Sequence, residues 1–344
     1  MNEEQQRELS GERTELAKQL PLMVPFSLQI CVTECCNLHC EFCLHGTERA
    51  KDICFSTMSM ETISKLVNDL KKENRKVKQI LISGIGEPLI HNNIVQIVKE
   101  VHKISDKVGI ITNGTLLNPK LTKELLEAGL DVLRISINGL TTDDYIKYTN
   151  TIIEPEKIQK NIKYFFEQAR QRESQGKSKC LVYVKIMNYM VDTEEKEKLF
   201  LDRYSQICDL VNIENLNEVS PDVTYNKIAD VDLNLTRRGT KREEVKICPR
   251  PFYEAVISAK GEVLACCHDF WLNPHASVMG DLREQQFLKI WNSKKFNDFR
   301  YRMLKFGAHG ANATCRECAE WQPMVSESDI LDQLAEKLME KYEV

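Results

Sequence analysis

No apolar run in this sequence approaches the roughly 18 residues needed to cross a bilayer. The nearest, Leu181 to Val191, carries Lys185 in its middle. The first residues, MNEEQQRELSGERTE, are acidic and polar, so no secretory signal is expected. Neither charge dominates: 47 Lys and Arg face 51 Asp and Glu, a net −4. The basic excess of an electrostatic nucleic-acid binder is therefore missing. Glycine and proline number only 14 and 10 in 344 residues, which excludes collagen-like and low-complexity chains. The expectation is a soluble, cytoplasmic chain with no membrane and no nucleic-acid partner. Its length suggests about two domains.

Cysteine is abundant, with 13 in the chain. A secreted disulfide scaffold would be shorter and would carry an export signal. Cysteines in tight groups in a cytoplasmic chain more often hold metal.

Residues 1–20 read as one amphipathic, peripheral helix within an extension spanning 1–24. Short apolar runs at Ser27–Val32, Val77–Ser83, Lys107–Thr112, Val132–Ile137, Cys180–Met187 and Asp209–Ile213 read as buried strands. Helical patterns lie between them, near 60–74, 93–104, 119–128, 155–173 and 193–206. Ser59 is the expected N-cap of the first. Asn118-Pro119 opens the third, with proline in its first turn, and Gly129 follows its last turn, where a left-handed residue is expected. Six strands alternating with helices over 25–218 predict a parallel sheet, open or curled into a partial barrel. Residues 219–247 are polar and charged and read as a linker. The segment 248–322 holds five cysteines and shows little periodicity. Residues 326–342, within 323–344, read as a final helix.

Directly after the first strand stands Cys36-Asn-Leu-His-Cys40-Glu-Phe-Cys43. Four ligands would close a tetrahedral zinc site or fill an iron–sulfur cubane. Three thiolates leave one metal position open to a small molecule. A zinc knuckle completed by His39, His45 or Cys35 is the alternative. The second strand runs into Ser83-Gly84-Ile85-Gly86-Glu87-Pro88. Glycines there let backbone approach a ligand closely, and a carboxylate beside exposed backbone suits an ammonium ion. A plain strand-to-helix turn would use the same residues. The third strand ends in Thr112-Asn113-Gly114-Thr115 and the fourth in Ser136-Ile137-Asn138-Gly139. Polar residues thus collect at the carboxyl ends of successive strands, where parallel α/β sheets bind ligands.

CNLHCEFC, GIGEP, TNGTLL and SINGL, in this order, resemble the radical S-adenosylmethionine (SAM) superfamily over about residues 25–218. The resemblance implies an α/β fold, a partial (β/α)6 barrel. It implies a [4Fe–4S] cluster on Cys36, Cys40 and Cys43, with SAM chelating the open iron through its amino and carboxylate groups. Gly84, Ile85, Gly86 and Glu87 would meet the methionine amino group. Ser136 and Asn138 would contact the ribose or carboxylate, and Phe42 would make a backbone contact to adenine. Asn113 joins this set. Lys185 would meet the SAM carboxylate or simply be solvated. The implied chemistry is reductive cleavage of SAM to a 5′-deoxyadenosyl radical, which removes hydrogen from an unactivated C–H bond. An electron donor such as flavodoxin or ferredoxin is the implied partner.

The C-terminal cysteines follow Cys248-x12-Gly261-x4-Cys266, then Cys315-x2-Cys318. Four thiolates also suit a zinc ribbon. The pattern resembles the SPASM/twitch extension of radical SAM enzymes, a small iron–sulfur domain. A full SPASM domain continues with further cysteines, and none follows Cys318. One auxiliary [4Fe–4S] cluster on Cys248, Cys266, Cys315 and Cys318 is therefore expected. Cys31, Cys180 and Cys208 read as small core residues, and Cys54 receives no role. If this stretch is extended, adjacent residues face opposite ways, and Cys267 points away from Cys266, the cysteine that the Gly-x4-Cys spacing selects as the ligand. Cys267 is then a buried small side chain, or a catalytic hydrogen donor to a substrate radical, or itself the ligand.

Molybdenum-cofactor cyclases share the first motif but end in a double glycine, whereas this chain ends Tyr342-Glu343-Val344. The short stretch before the first strand favours a small polar substrate, sugar-like or aminocyclitol-like, oxidised or epimerised. A peptide or protein substrate is the alternative. A non-catalytic metal-binding module would have no need of GIGEP and SINGL.

Overall fold

The computed structural model describes residues 14–343 apart from 219–222, 229–231, 233, 238, 240, 242–244, 268, 270–275 and 319–324. Six parallel strands lie side by side in chain order: β1 (Ser27–Ile30), β2 (Gln79–Ile82), β3 (Val108–Thr112), β4 (Val132–Ile137), β5 (Leu181–Met187) and β6 (Leu210–Glu214). The crossovers carry α1 (Met60–Lys72), α2 (Ile94–Val101), α3 (Pro119–Glu127), α4 (Thr142–Thr149), α5 (Pro155–Ser174) and α6 (Glu194–Tyr204). This is the α/β arrangement expected of a partial (β/α)6 barrel.

Strand alternation sorts the side chains. Leu28 and Ile30, Ile80 and Ile82, and Leu133 and Ile135 are fully buried in the main core. The alternate row faces the other way. On β4 and β5 that row includes Arg134, Ser136, Tyr183 and Lys185, with Arg134 opposite Tyr183 and Ser136 opposite Lys185. Ser59 caps α1 by accepting from Thr62 N at 3.1 Å, a contact worth about 1 kcal/mol. Asn118 caps α3 through Lys120 N and Leu121 N, with Pro119 at the first turn. Gly129 has φ +92°, the left-handed geometry expected after that helix.

The segment after residue 248 is more regular than its sequence suggests. Strands β7 (Glu254–Ile257), β8 (Glu262–Leu264) and β9 (Val278–Asp281) extend the same sheet beyond β1. β7 runs parallel to β1, and the hairpin to β8 and β9 is antiparallel. Gly261, at φ +90°, makes the β7–β8 turn. The Gly-x4-Cys spacing is therefore the length of a hairpin arm.

Two helix expectations are corrected. Residues 1–13 of the predicted helix 1–20 lie outside the described residues, and among 14–20 the chain forms only a 3-10 turn, Leu16–Lys18. Pro21 and Pro25 follow, and Trp291 Nε1 and Asn292 Nδ2 hold the carbonyls of Leu22 and Met23. The predicted helix 326–342 is broken into 3-10 turns at Glu327–Asp329 and Asp332–Leu334 and a short helix, Ala335–Met339. Asp332 accepts from Lys246 N at 2.6 Å, so a tertiary bond competes with local helix. The linker 219–247 lies partly outside the described residues; it includes a single turn of helix, Tyr225–Ile228. α4 escaped the sequence reading although a capping box, Thr141 with Asp144, marks its start.

Candidate active site

Loops at the carboxyl ends of β1 to β4, with the ends of β5 and β6, surround one cavity. Its volume is about 160 Å³, and it is partly open to solvent. Cys36, Cys40 and Cys43 line it, and so do Phe42, Gly84, Ile85, Gly86, Glu87, Asn113, Ser136, Asn138 and Lys185. Residues up to 178 positions apart in sequence are thereby brought to one place, from Cys36 to Glu214.

The three loop thiols are buried within each other's fields. Burial pushes Cys36 up to about 12, and the charges of Glu87 and Cys43 add to it. Burial also raises Cys40, helped by Cys43 and Cys36, and raises Cys43. Metal binding requires the thiolate, so three such groups need a strongly cationic centre among them, as an iron–sulfur cluster supplies. Two of the donors proposed for a zinc knuckle have other partners: Cys35 Sγ faces the Phe55 carbonyl at 3.6 Å, and His39 Nδ1 meets the His45 carbonyl at 3.3 Å.

Glycine at 86 is a steric requirement. A Cβ there would be driven into the Thr33 carbonyl and lie 2.7 Å from that of Cys35. The loop after β1 and the GIGEP turn therefore touch backbone to backbone. Glu87, 2% exposed, ties that turn to the next one. Its carboxylate accepts from Leu89 N at 3.0 Å, Thr112 Oγ1 at 2.7 Å and Asn113 N at 2.7 Å. Burial raises its pKa, while the bonds from Asn113, Thr112 and Leu89 pull it down. A carboxylate has about four acceptor positions, so one remains for an ammonium ion. Asn113 is similarly occupied, by Asn37 and Thr115.

Glu87→Gln will therefore lower SAM affinity roughly 10- to 100-fold while leaving iron content unchanged, since hydrogen bonds to charged groups contribute about 1.5–3 kcal/mol. Equilibrium dialysis of SAM against the reconstituted variant measures this. Unchanged affinity would make the carboxylate a turn brace and nothing more.

Two expected contacts are altered by protein partners. The Phe42 carbonyl accepts from Tyr225 Oη at 3.3 Å. Lys185 is not solvated: it is 15% exposed and sits 2.6 Å from Glu214 Oε2. Tyr183 Oη donates to the other oxygen at 2.9 Å. Burial works against the Glu214 charge, but Lys185 and Arg237 and the hydrogen bonds from Lys185 and Tyr183 outweigh it and hold the carboxyl at about 2.

Its folded pKa thus lies below the ordinary 4.5. The stability contributed by its ionised form is present above about 4.5 and disappears as pH falls toward 2. The stability gap between wild type and Glu214→Gln will shrink across that window in urea unfolding. A gap independent of pH would contradict the pairing.

The C-terminal thiols form a second group. Burial drives Cys248 up to about 12, and the charges of Cys318 and Cys267 contribute. Cys315 is raised by burial, then by Cys248 and Cys318. A hydrogen bond with Cys267 lowers Cys266, but burial and the charges of Cys318 and Cys248 leave it raised. Cys266 and Cys267 do not face opposite ways: the strand ends at Leu264, the chain turns, and the two thiols bond each other. The Arg250 guanidinium donates to the Cys267 sulfur. Cys267 is thus a fifth thiol of this group, and it is not among the described residues lining the cavity.

Cys31, Cys180 and Cys208 are buried, as core residues should be. Cys54 accepts from Lys260 at 3.3 Å. Sequence reading missed Thr112, Met187 and Glu214 in the cavity wall. Period-two alternation from Asn212 would have placed Glu214 on the same face.

A model of the radical SAM superfamily matches residues 30–175, and one of an iron–sulfur cluster-binding domain, SPASM, matches 248–319. The tungsten-containing aldehyde ferredoxin oxidoreductase cofactor-modifying protein of Pyrococcus furiosus is 27% identical over 305 residues, 78% of this chain and 82% of that protein. A probable GTP 3′,8-cyclase of Methanothermobacter marburgensis is 38% identical over 120 residues, 35% of this chain and 37% of the cyclase. The solved structure of Streptococcus suis SuiB bound to S-adenosylmethionine has a TM-score of 0.62 at 18% identity, covering 88% of this chain and 74% of that one. BtrN in complex with AdoMet and 2-DOIA gives 0.52 at 18% identity, covering 87% and 97%. At these identities the two structures share a fold with this chain. Among the described residues no helix is long and apolar enough to cross a membrane.

Proposed function

Because this chain is a radical SAM enzyme with a SPASM iron–sulfur domain, and so uses SAM, a SAM-binding [4Fe–4S] cluster and auxiliary iron–sulfur, we propose that it oxidises a small polar substrate at an unactivated C–H bond. The observation that carries this reading is the convergence of Cys36, Cys40, Cys43, the GIGEP turn and the ends of β4 to β6 on one cavity. When bound there, the cluster supplies the electron that cleaves SAM to a 5′-deoxyadenosyl radical, which takes hydrogen from the substrate.

The chain's own part is to bind, orient and exclude. Cys36, Cys40 and Cys43 would hold the first cluster. The backbone of Gly84 to Gly86 and the remaining acceptor position of Glu87 would orient the methionine ammonium. Ser136 and Asn138, which also line the cavity, would contact the ribose or carboxylate. Cys248, Cys266, Cys315 and Cys318 would hold a single auxiliary [4Fe–4S] cluster. The ion pair of Lys185 and Glu214 in the cavity lining supports a polar substrate over an apolar one. We place the enzyme in the cytoplasm, with flavodoxin or ferredoxin as reductant.

Oxidation is favoured over epimerisation by the position of Cys267. A hydrogen donor must reach the substrate radical, but this sulfur lies with the auxiliary thiols and accepts from Arg250. Cys267→Ala will accordingly keep both product formation and 5′-deoxyadenosine formation, with no solvent deuterium in the product of either protein. A variant that cleaves SAM but stalls, beside a wild type that installs one deuterium, would restore the donor role. The reading as a whole is tested by anaerobic incubation with SAM and dithionite, which should yield 5′-deoxyadenosine. A cluster-loaded protein that leaves SAM intact would overturn it.

A further inference from the structure

Asn37 follows the first expected ligand, Cys36, on the thiol loop. Among the described residues neither Asn37 nor Leu38 makes a backbone-to-backbone hydrogen bond. The backbone anchors lie to either side. Glu87 N donates to the Cys35 carbonyl at 2.8 Å, and His39 N and Glu41 N donate to the carbonyls of Thr149 and Tyr148 at 3.0 Å. Between them the loop is held by the Asn37 side chain, which reaches the turn after β3. Its Nδ2 donates to Thr115 Oγ1 at 2.8 Å. Thr115 Oγ1 donates to Asn113 Oδ1 at 2.6 Å. Asn113 Nδ2 donates back to Asn37 Oδ1 at 2.9 Å. Three side chains thus close a ring.

One backbone group fixes the direction of that ring. Thr115 N also donates to Asn113 Oδ1, at 3.0 Å, and an amide N–H can only donate. The Asn113 side chain must therefore turn its oxygen toward Thr115 and its NH2 toward Asn37. Asn37 meets that NH2 with its own oxygen, which leaves its NH2 for Thr115. The turn closes this tightly because Gly114, at φ +75°, occupies the left-handed region. The same turn grips Glu87, through Asn113 N and Thr112 Oγ1, each at 2.7 Å. Asn37 is therefore linked to that carboxylate through a single residue, Asn113. The charge of Glu87 is in turn felt at Cys36, and Cys36, Glu87 and Asn113 line the same cavity.

We propose that Asn37 and Thr115 are positioning residues for SAM. The ring fixes the thiol loop against the turn after β3, so that the metal position left open by three cysteines and the remaining acceptor position of Glu87 serve one ligand together. Neither residue is among the described residues lining the cavity; both act through Asn113 and the loop. A ligand engaged at two places is sensitive to their separation, and a misplacement of about 1 Å costs up to roughly a hundredfold where geometry is decisive. The proposal rests on the reading of the cavity as the SAM site.

The test is equilibrium dialysis of SAM against cluster-loaded full-length protein. Asn37→Ala and Thr115→Val should each weaken SAM binding at least tenfold, with iron content, melting profile and the SAM-free spectrum of the reduced clusters unchanged. Thr115→Ser, which keeps the hydroxyl and loses the methyl group, should bind SAM as wild type does. The double variant Asn37→Ala, Thr115→Val should be no weaker than the weaker single variant, because either change opens the same ring. Full affinity in Thr115→Val with a loss in Thr115→Ser would make Thr115 a packing residue and overturn the proposal. So would additive losses in the double variant, or loss of iron from Asn37→Ala, which would make Asn37 a residue of loop folding. Variants that bind SAM as wild type does overturn the proposal alone. A cluster-loaded wild type that binds no SAM overturns the reading of the cavity and the proposal with it.

Discussion

Replacing Cys36, Cys40 and Cys43 together by alanine will abolish 5′-deoxyadenosine formation and leave about half of the iron in place, since each of the two sites would hold a four-iron cluster. The two thiol groups are physically separate. The first sits on the loop after β1, which the GIGEP turn backs through the Gly86 contact. The second lies beyond β7 and β8, on the far side of β1 in the sheet order. Neither lends a cysteine to the other in the electrostatics of the described thiols. Iron analysis and anaerobic turnover of a variant with a wild-type melting profile measure both halves of the expectation. Complete loss of iron from a folded variant would show that the sites are not independent.

Cys248→Ala with Cys315→Ala will give the converse result. The variant should lose the other half of its iron and its product formation, yet still cleave SAM when reduced by dithionite. The argument is again one of burial. Both thiols are less than 9% exposed; burial raises both, with the charges of Cys318 and Cys267 adding at Cys248 and those of Cys248 and Cys318 at Cys315, so as thiolates they need a cationic centre beside them. If substrate turnover persisted at the wild-type rate, the second site would be structural and oxidation through it would be excluded.

These two results depend on parts of the molecule that differed in how readable they were. β1 to β6 were legible because each lies in a short, largely apolar run closed by a glycine or polar turn, as in Val132–Ile137 followed by Asn138-Gly139. The thiol loop, GIGEP and SINGL were legible because they occur together and in this order at the carboxyl ends of successive strands, whereas each alone has other uses. β7 to β9 were not, since strands of three or four residues carry too little alternation to stand out. The helix expected over 326–342 failed because Asp332 reaches Lys246, a contact 86 residues away. The pairing of Lys185 with Glu214 spans 29 residues and depends on the β5–β6 register. Local pattern holds no record of such a partner. The orientation of Cys267 turned on whether extended geometry continued past the strand, and it ends at Leu264, two residues before the first of the two thiols.

The central claim is that the loop thiols hold a cluster with one iron open to SAM at the cavity wall. Electron paramagnetic resonance of the dithionite-reduced protein, recorded with and without SAM, addresses it directly. Using Cys248→Ala, Cys315→Ala protein removes the auxiliary signal. Addition of SAM should change the g values of the remaining cluster, because a ligand enters the iron's own coordination sphere, and Glu87→Gln introduced alongside should demand more SAM for the same change. A spectrum unaltered by saturating SAM, in protein with a full complement of iron at the first site, would contradict the account.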